Sequence, residues 1–86
     1  MPRISYFYGI AIYMYHHDHG PPHFHAIYGE YEAIVAVDTG ELVQGQLPPR
    51  AKSLVAEWAR IHREELERNW RLAHAGEPLD QVAPLD

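Results

Sequence analysis

The hydrophobic pattern of the chain changes its period at the proline pair Pro48-Pro49. Residues 1–47 are rich in Tyr, Ile and Val, with Gly and Pro between the apolar runs, which is typical of strands joined by turns. Residues 48–75 are rich in Ala, Leu, Glu and Arg, with apolar residues three and four positions apart, which is typical of an amphipathic helix. Strands followed by a helix predict an α+β fold.

Three to four antiparallel strands are predicted before the proline pair. The segment GIAIYMY, residues 9–15, is the first clear strand, and both of its faces are apolar or aromatic. A hairpin follows with Gly29-Glu30 as its turn, because glycine suits the first central position of a type II′ turn. A short fourth strand is expected at 41–44, so the sheet part of the chain spans residues 1–47.

The hairpin turn decides which side chains share a face, because side chains alternate along a strand. One face is apolar and is expected to pack on the helix; it holds Phe24, Ala26, Tyr28, Tyr31, Ala33, Val35 and Val37. The opposite face would hold His23, His25, Ile27, Glu32, Ile34 and Ala36. The two histidines are therefore expected to point away from the helix.

One long helix, packed on one face of the sheet, is predicted over residues 48–76. Prolines fit its first turn, and Gly76 fits its end. Its apolar stripe comprises Ala51, Val55, Trp58, His62, Leu66, Trp70 and Ala73. The stripe is that of a continuous helix, and the sequence leaves open a break near His62. Residues 77–86 form an extended tail, and 86 residues make a single domain, 1–86.

Composition excludes several classes of protein. The chain has no cysteine, so disulfides and thiolate zinc sites are excluded. Twelve acidic and seven basic residues give a net charge of −5, which argues against a nucleic-acid partner. No apolar run reaches the roughly 18 residues of a membrane span, and the first residues, MPRISYFYGI, do not resemble a signal peptide. A cytoplasmic location is therefore expected, without a membrane partner.

The segment HHDHGPPHFHA holds five of the seven histidines. His23 and His25 are two positions apart in a predicted strand, so their side chains leave the same face about 6.5–7 Å apart and can chelate one metal ion. His19 or His17 in the loop, or Glu32, could supply a third ligand, and Asp18 could bind directly or orient an imidazole. Imidazole and carboxylate ligands suit Zn²⁺, Ni²⁺, Cu²⁺ or Fe²⁺.

Two other functions remain open for the same residues. His23 and His25, assisted by Glu32, could act without metal as base and acid on a ribose phosphate, as in a small endoribonuclease. The hypothesis favoured by the sequence is a protein-binding module, since a sheet covered on one side leaves an aromatic and His-rich face open. The interface would comprise Tyr13, Tyr15, Ile27 and Ile34 beside the histidines. A second copy of the chain or another small protein would cover this face.

The stretches DHGPPHFHAIYGEYEA and GQLPPRAKSLVAEWARIHREELERNW resemble the DUF4160 family of small bacterial proteins of unknown function. The family is built around a His-Phe-His motif, which is His23-Phe24-His25 here, and the resemblance covers nearly the whole chain. It implies a stand-alone bacterial domain but no particular activity, substrate or cofactor. Members sometimes occur beside another small uncharacterised domain, which implies a partner encoded nearby, as in a two-gene toxin–antitoxin-like system.

Overall fold

The computed structural model describes residues 2–86 and has an α+β fold, as the sequence predicts. Five strands form one antiparallel sheet in the order β1-β2-β3-β4-β5, so each strand pairs with the next along the chain. The strands are β1 (Arg3–Phe7), β2 (Ile10–Tyr13), β3 (His23–Tyr28), β4 (Tyr31–Ala36) and β5 (Leu42–Gly45). Two helices follow, α1 (Pro49–Ile61) and α2 (Arg63–His74).

The prediction of three to four strands was wrong because it omitted β1. A bulge between Arg3 and Ser5 interrupts the alternation of this strand. The turn into β2 is Tyr8-Gly9, whose φ values of 50° and 79° are both positive. Tyrosine is uncommon in such a turn. Neither the strand period nor the usual turn residues therefore mark β1 in the sequence.

The β3–β4 hairpin has the predicted register. Tyr28 pairs with Tyr31, and Phe24 pairs with Val35. Gly29 has a φ of 58°, as the first central position of a type II′ turn requires. The predicted apolar face is buried at Phe24, Ala26, Ala33, Val35 and Val37, whereas Tyr28 and Tyr31 lie exposed at the end of the hairpin. The core therefore lies on the Phe24 side of the sheet.

The prediction of one long helix was also wrong, because the helix breaks at His62. This residue has φ −106° and ψ 25°, outside the helical region, although its N–H still donates to the Trp58 carbonyl. The break separates two buried sets: Ala51, Val55, Trp58 and Ala59 in α1, and Leu66, Asn69 and Ala73 in α2. No proline or glycine marks the position, so the apolar spacing alone did not locate it.

The tail after α2 runs back over the core, and several hydrogen bonds hold it there. The Val82 N–H donates to the Ile4 carbonyl at 2.8 Å, and the Trp58 indole N–H donates to the Ala83 carbonyl at 2.8 Å. The fully buried Asn69 side chain donates to the Asp80 carbonyl and accepts from the Asp80 N–H, both at 2.9 Å. The sequence gives no sign of this tail packing. Within residues 2–86, no helix is long and apolar enough to cross a membrane.

Asn69→Ala is expected to lower the free energy of unfolding by about 2–4 kcal/mol, because it removes a fully buried side chain together with its two hydrogen bonds to the Asp80 backbone. Arg68→Ala is the matched control, since Arg68 meets the same Asp80 through an exposed ion pair at 3.0 Å. That pair is expected to contribute less than about 1 kcal/mol. Urea unfolding followed by circular dichroism measures both. Equal losses for the two variants would contradict the role given to Asn69.

Candidate metal centre

Alternation along β3 places His23 and His25 on the face opposite the buried Phe24 and Ala26. The sequence predicted that this face points away from the helix, but in the structure part of it lies next to α2. The ring of Trp70 in α2 lies 5.1 Å from the ring of His23, centroid to centroid. The histidines therefore lie outside the core but beside the second helix.

The loop between β2 and β3 returns to the same face. The His17 N–H donates to the Ala73 carbonyl at the end of α2, and His17 has a positive φ of 59°. Farther along, the Val37 N–H donates to the Pro22 carbonyl at 3.0 Å. These contacts fix the loop at both ends. As a result, Asp18 lies over β3, close to both histidine rings.

Three side chains bring their ligand atoms together at this point. Asp18 Oδ2 lies 2.9 Å from His23 Nε2 and 3.5 Å from His25 Nε2, and one ligand atom from each of the three residues lies within 4.8 Å of the others. A tetrahedral zinc ion with bonds of about 2.0–2.1 Å separates its ligand atoms by about 3.3–3.4 Å. The three residues therefore need only small adjustments to hold one metal ion.

The hydrogen bonds of His23 determine which of its ring nitrogens can bind a metal. Nδ1 lies 2.8 Å from the Pro21 carbonyl oxygen, which can only accept, so Nδ1 carries the hydrogen and donates it. In a neutral His23, Nε2 is then a bare acceptor that faces the Asp18 carboxylate at 2.9 Å. Two acceptors at this distance need a cation between them, either a proton on Nε2 or a metal ion.

His25 has a different environment. Its Nε2 faces Asp18, while its Nδ1 is buried and has no hydrogen-bond partner among the residues that the structure describes. Glu32 Oε2 stands 3.7 Å from this Nδ1. The ring of Tyr15 meets the ring of His25 edge-on at a centroid distance of 4.6 Å. His25 is thus held by aromatic contact, with its two nitrogens directed towards two carboxylates.

The pKa shifts near the site favour an ionised carboxylate. Burial alone would raise the pKa of Asp18, but hydrogen bonds from the His19 N–H, His25 and His23, and the charge of His23, bring this pKa below its usual value. Burial raises the pKa of Tyr15, and the negative charges of Glu32 and Asp18 raise it further. At neutral pH Asp18 is therefore a carboxylate, and Tyr15 keeps its hydroxyl hydrogen.

The residues predicted from the sequence are only partly brought together. His23 and His25 converge, whereas His19 is exposed, and its contribution here is a backbone N–H that donates to Asp18 Oδ1 at 3.0 Å. Glu32 approaches Nδ1 of His25, away from the convergent Nε2 atoms. The four predicted interface residues Tyr13, Tyr15, Ile27 and Ile34 are half-buried.

Two residues contribute more to this region in the structure than the sequence indicates. Asp18 was one of several options as a ligand, and only the return of the loop puts it between the histidines. Trp70 was assigned to the core stripe; it is half-buried and packs against the core, and its ring also contacts that of His23. No signal in the sequence indicates this contact with His23.

A family model described as a domain of unknown function (DUF4160) matches residues 9–71 of the 86-residue chain. The matched range includes all three convergent residues and Glu32. No curated protein and no solved structure matches the chain.

Proposed function

Since the chain belongs to the DUF4160 family, a domain of unknown function, we propose a function from its site: it binds a divalent transition metal ion through Asp18, His23 and His25. The observation that carries this proposal is the contact between Asp18 Oδ2 and His23 Nε2 at 2.9 Å. Because His23 already donates from Nδ1 to a carbonyl, either a proton or a metal ion must lie between these two atoms. A metal ion there would also reach His25.

The chemistry of the ligands supports zinc or iron(II) first, with nickel and copper as further candidates. Two imidazoles and one carboxylate make up many zinc sites and the facial triad of non-haem iron. The Nδ1–H of His23 donates to a backbone carbonyl, which is the usual second contact of a metal-binding histidine. Three protein ligands leave a coordination position for water, whose pKa a bound zinc ion would lower.

The endoribonuclease hypothesis has less support. A phosphate would have to approach His23 and His25 where the Asp18 carboxylate already lies 2.9 Å and 3.5 Å from their Nε2 atoms. Like charges repel at such distances. Glu32 adds a second negative charge near His25. The site therefore favours a cation over an anionic substrate.

The binding-module hypothesis is the second candidate. The four residues assigned to the interface are half-buried within the chain, so they offer less apolar surface than an open face would. Apolar side chains with greater exposure lie on the two edge strands of the sheet: Tyr6 in β1 is 54% exposed and Val43 in β5 is 63% exposed. Association through this face, with a second copy or with a protein encoded nearby, stays a prediction, as does the toxin–antitoxin-like arrangement.

Asp18→Ala is expected to weaken zinc binding at least about 100-fold, more than loss of a second contact to a ligand usually costs. His19→Ala is the matched control: it removes an exposed imidazole from the same loop but keeps the backbone N–H that donates to Asp18. Isothermal titration calorimetry of untagged protein with zinc measures both. Unchanged affinity in Asp18→Ala would refute the proposed ligand set. An equal loss in His19→Ala would replace it with one that includes His19.

A further inference from the structure

The two histidines of the candidate metal centre differ in what their second ring nitrogen contacts. His23 donates from Nδ1 to the Pro21 carbonyl at 2.8 Å. His25 Nδ1 is buried, and within residues 2–86 it has no hydrogen-bond partner. When Nε2 of a neutral histidine binds a metal ion, the hydrogen must be on Nδ1. A metal-bound His25 would therefore present a buried N–H that needs an acceptor.

Glu32 is placed to be that acceptor. In the hairpin it pairs with Ile27, two residues along β3 from His25 and on the same face, which is the diagonal position that a long side chain can span. Its Oε2 lies 3.7 Å from His25 Nδ1, slightly beyond hydrogen-bond distance. The Glu32 side chain is 60% exposed, so a small rotation can close this gap at little cost in packing.

The same geometry argues against Glu32 as a ligand of the ion held by Asp18. The convergent ligand atoms belong to Asp18, His23 and His25, and both imidazoles direct Nε2 towards Asp18. Glu32 instead meets the opposite nitrogen of the His25 ring. A carboxylate in that position can orient the imidazole and increase its basicity.

We infer that Glu32 is the positioning residue of the metal centre, accepting a hydrogen bond from His25 Nδ1–H while His25 Nε2 binds the metal. The inference rests on the proposed metal function and extends it to a residue that does not touch the ion. The carboxylates of Asp18 and Glu32 together supply two negative charges, which match a divalent cation.

Glu32→Ala is expected to weaken zinc binding about 10–100-fold, the usual effect of removing such a contact. Glu32→Gln keeps an oxygen that can accept from Nδ1–H, so it is expected to recover part of this loss. Glu30→Ala is the control for the loss of a negative charge, because Glu30 is an exposed acid in the hairpin turn. The zinc affinity of this variant should stay within about twofold of that of the parent. Zinc titration of the full chain measures all three variants.

A second measurement distinguishes a role of Glu32 in orienting His25 from an effect of Glu32 on the fold. In zinc-loaded protein, the His25 Nδ1–H proton should give a slowly exchanging NMR signal. The chemical shift of this signal should change in Glu32→Gln and stay the same in Glu30→Ala. In Glu32→Ala the signal should be lost, because the proton exchanges rapidly with water. The metal-free variants should unfold at the same temperature as the parent, since the Glu32 side chain is mostly exposed.

The outcomes are distinguishable. If zinc binds the parent but Glu32→Ala behaves like Glu30→Ala, the inference is wrong while the metal function stands. If Glu32→Gln loses as much affinity as Glu32→Ala and the Nδ1–H signal of Glu32→Gln matches that of the parent, Glu32 is a direct ligand and the inference is likewise overturned. If the parent binds neither zinc nor iron(II), nickel or copper, the proposed function fails and the inference falls with it.

Discussion

Trp58→Ala is expected to lower the free energy of unfolding by about 3–5 kcal/mol, the range for removing a large aromatic side chain from a core. Trp58 is fully buried, and its ring lies 5.2 Å from that of Phe7 and 5.6 Å from that of Phe24. Its indole N–H also holds the tail through the Ala83 carbonyl. Domains of this kind have total stabilities of about 5–15 kcal/mol, so this variant should be close to unfolding at 37 °C.

Trp58→Phe is the matched variant, because it keeps most of the aromatic packing and loses the hydrogen bond to Ala83. Its expected loss is about 1–3 kcal/mol. Chemical unfolding followed by circular dichroism measures both variants without relying on tryptophan fluorescence. A loss below about 1 kcal/mol in Trp58→Ala would mean that this residue does not fill the core.

The second large effect is the increase in thermal stability that zinc binding is expected to cause. Zinc is expected to raise the melting temperature of the parent by about 10–20 °C when its free concentration is about 100 times the dissociation constant. The double variant His23→Ala/His25→Ala should show no such shift, because two of the three ligands are lost. Towards about pH 5 the shift in the parent should shrink, since ligand imidazoles must be neutral to bind metal.

A second double variant, His17→Ala/His19→Ala, controls for histidine content. Both side chains are exposed, and neither is among the residues whose ligand atoms converge. Its zinc-induced shift should match that of the parent, even if its melting temperature without zinc differs. Differential scanning fluorimetry is sufficient for this comparison. A loss of the shift in this control would indicate that zinc binds the histidine-rich loop at large.

The hairpin could be predicted from the sequence because its signals are local. A glycine turn set the register, strand alternation set the face, and both agree with the pairs Phe24–Val35 and Tyr28–Tyr31. The parts that were missed or left open depend on departures from a regular period. They are the bulge that hides β1, and the break at His62, where the helical apolar spacing continues across a non-helical residue.

The candidate site likewise has one part that local sequence signals predict and another part that they do not. The convergence of His23 and His25 follows from the two-residue period of a strand. The place of Asp18 depends on the path of the loop, which includes the positive φ of His17 and its hydrogen bond to the end of α2. The sequence offered Glu32 near His25, but only atomic positions show which ring nitrogen it approaches. Tertiary contacts decide these details, and they leave no local pattern in the sequence.

Metal content tests the central claim most directly. Untagged protein purified without a nickel column, dialysed against metal-free buffer, would be analysed by inductively coupled plasma mass spectrometry beside His23→Ala/His25→Ala. We expect a stoichiometric amount of one divalent transition metal in the parent and none in the double variant. Substoichiometric metal in both, with no gain after incubation with zinc, would contradict a metal site formed by Asp18, His23 and His25.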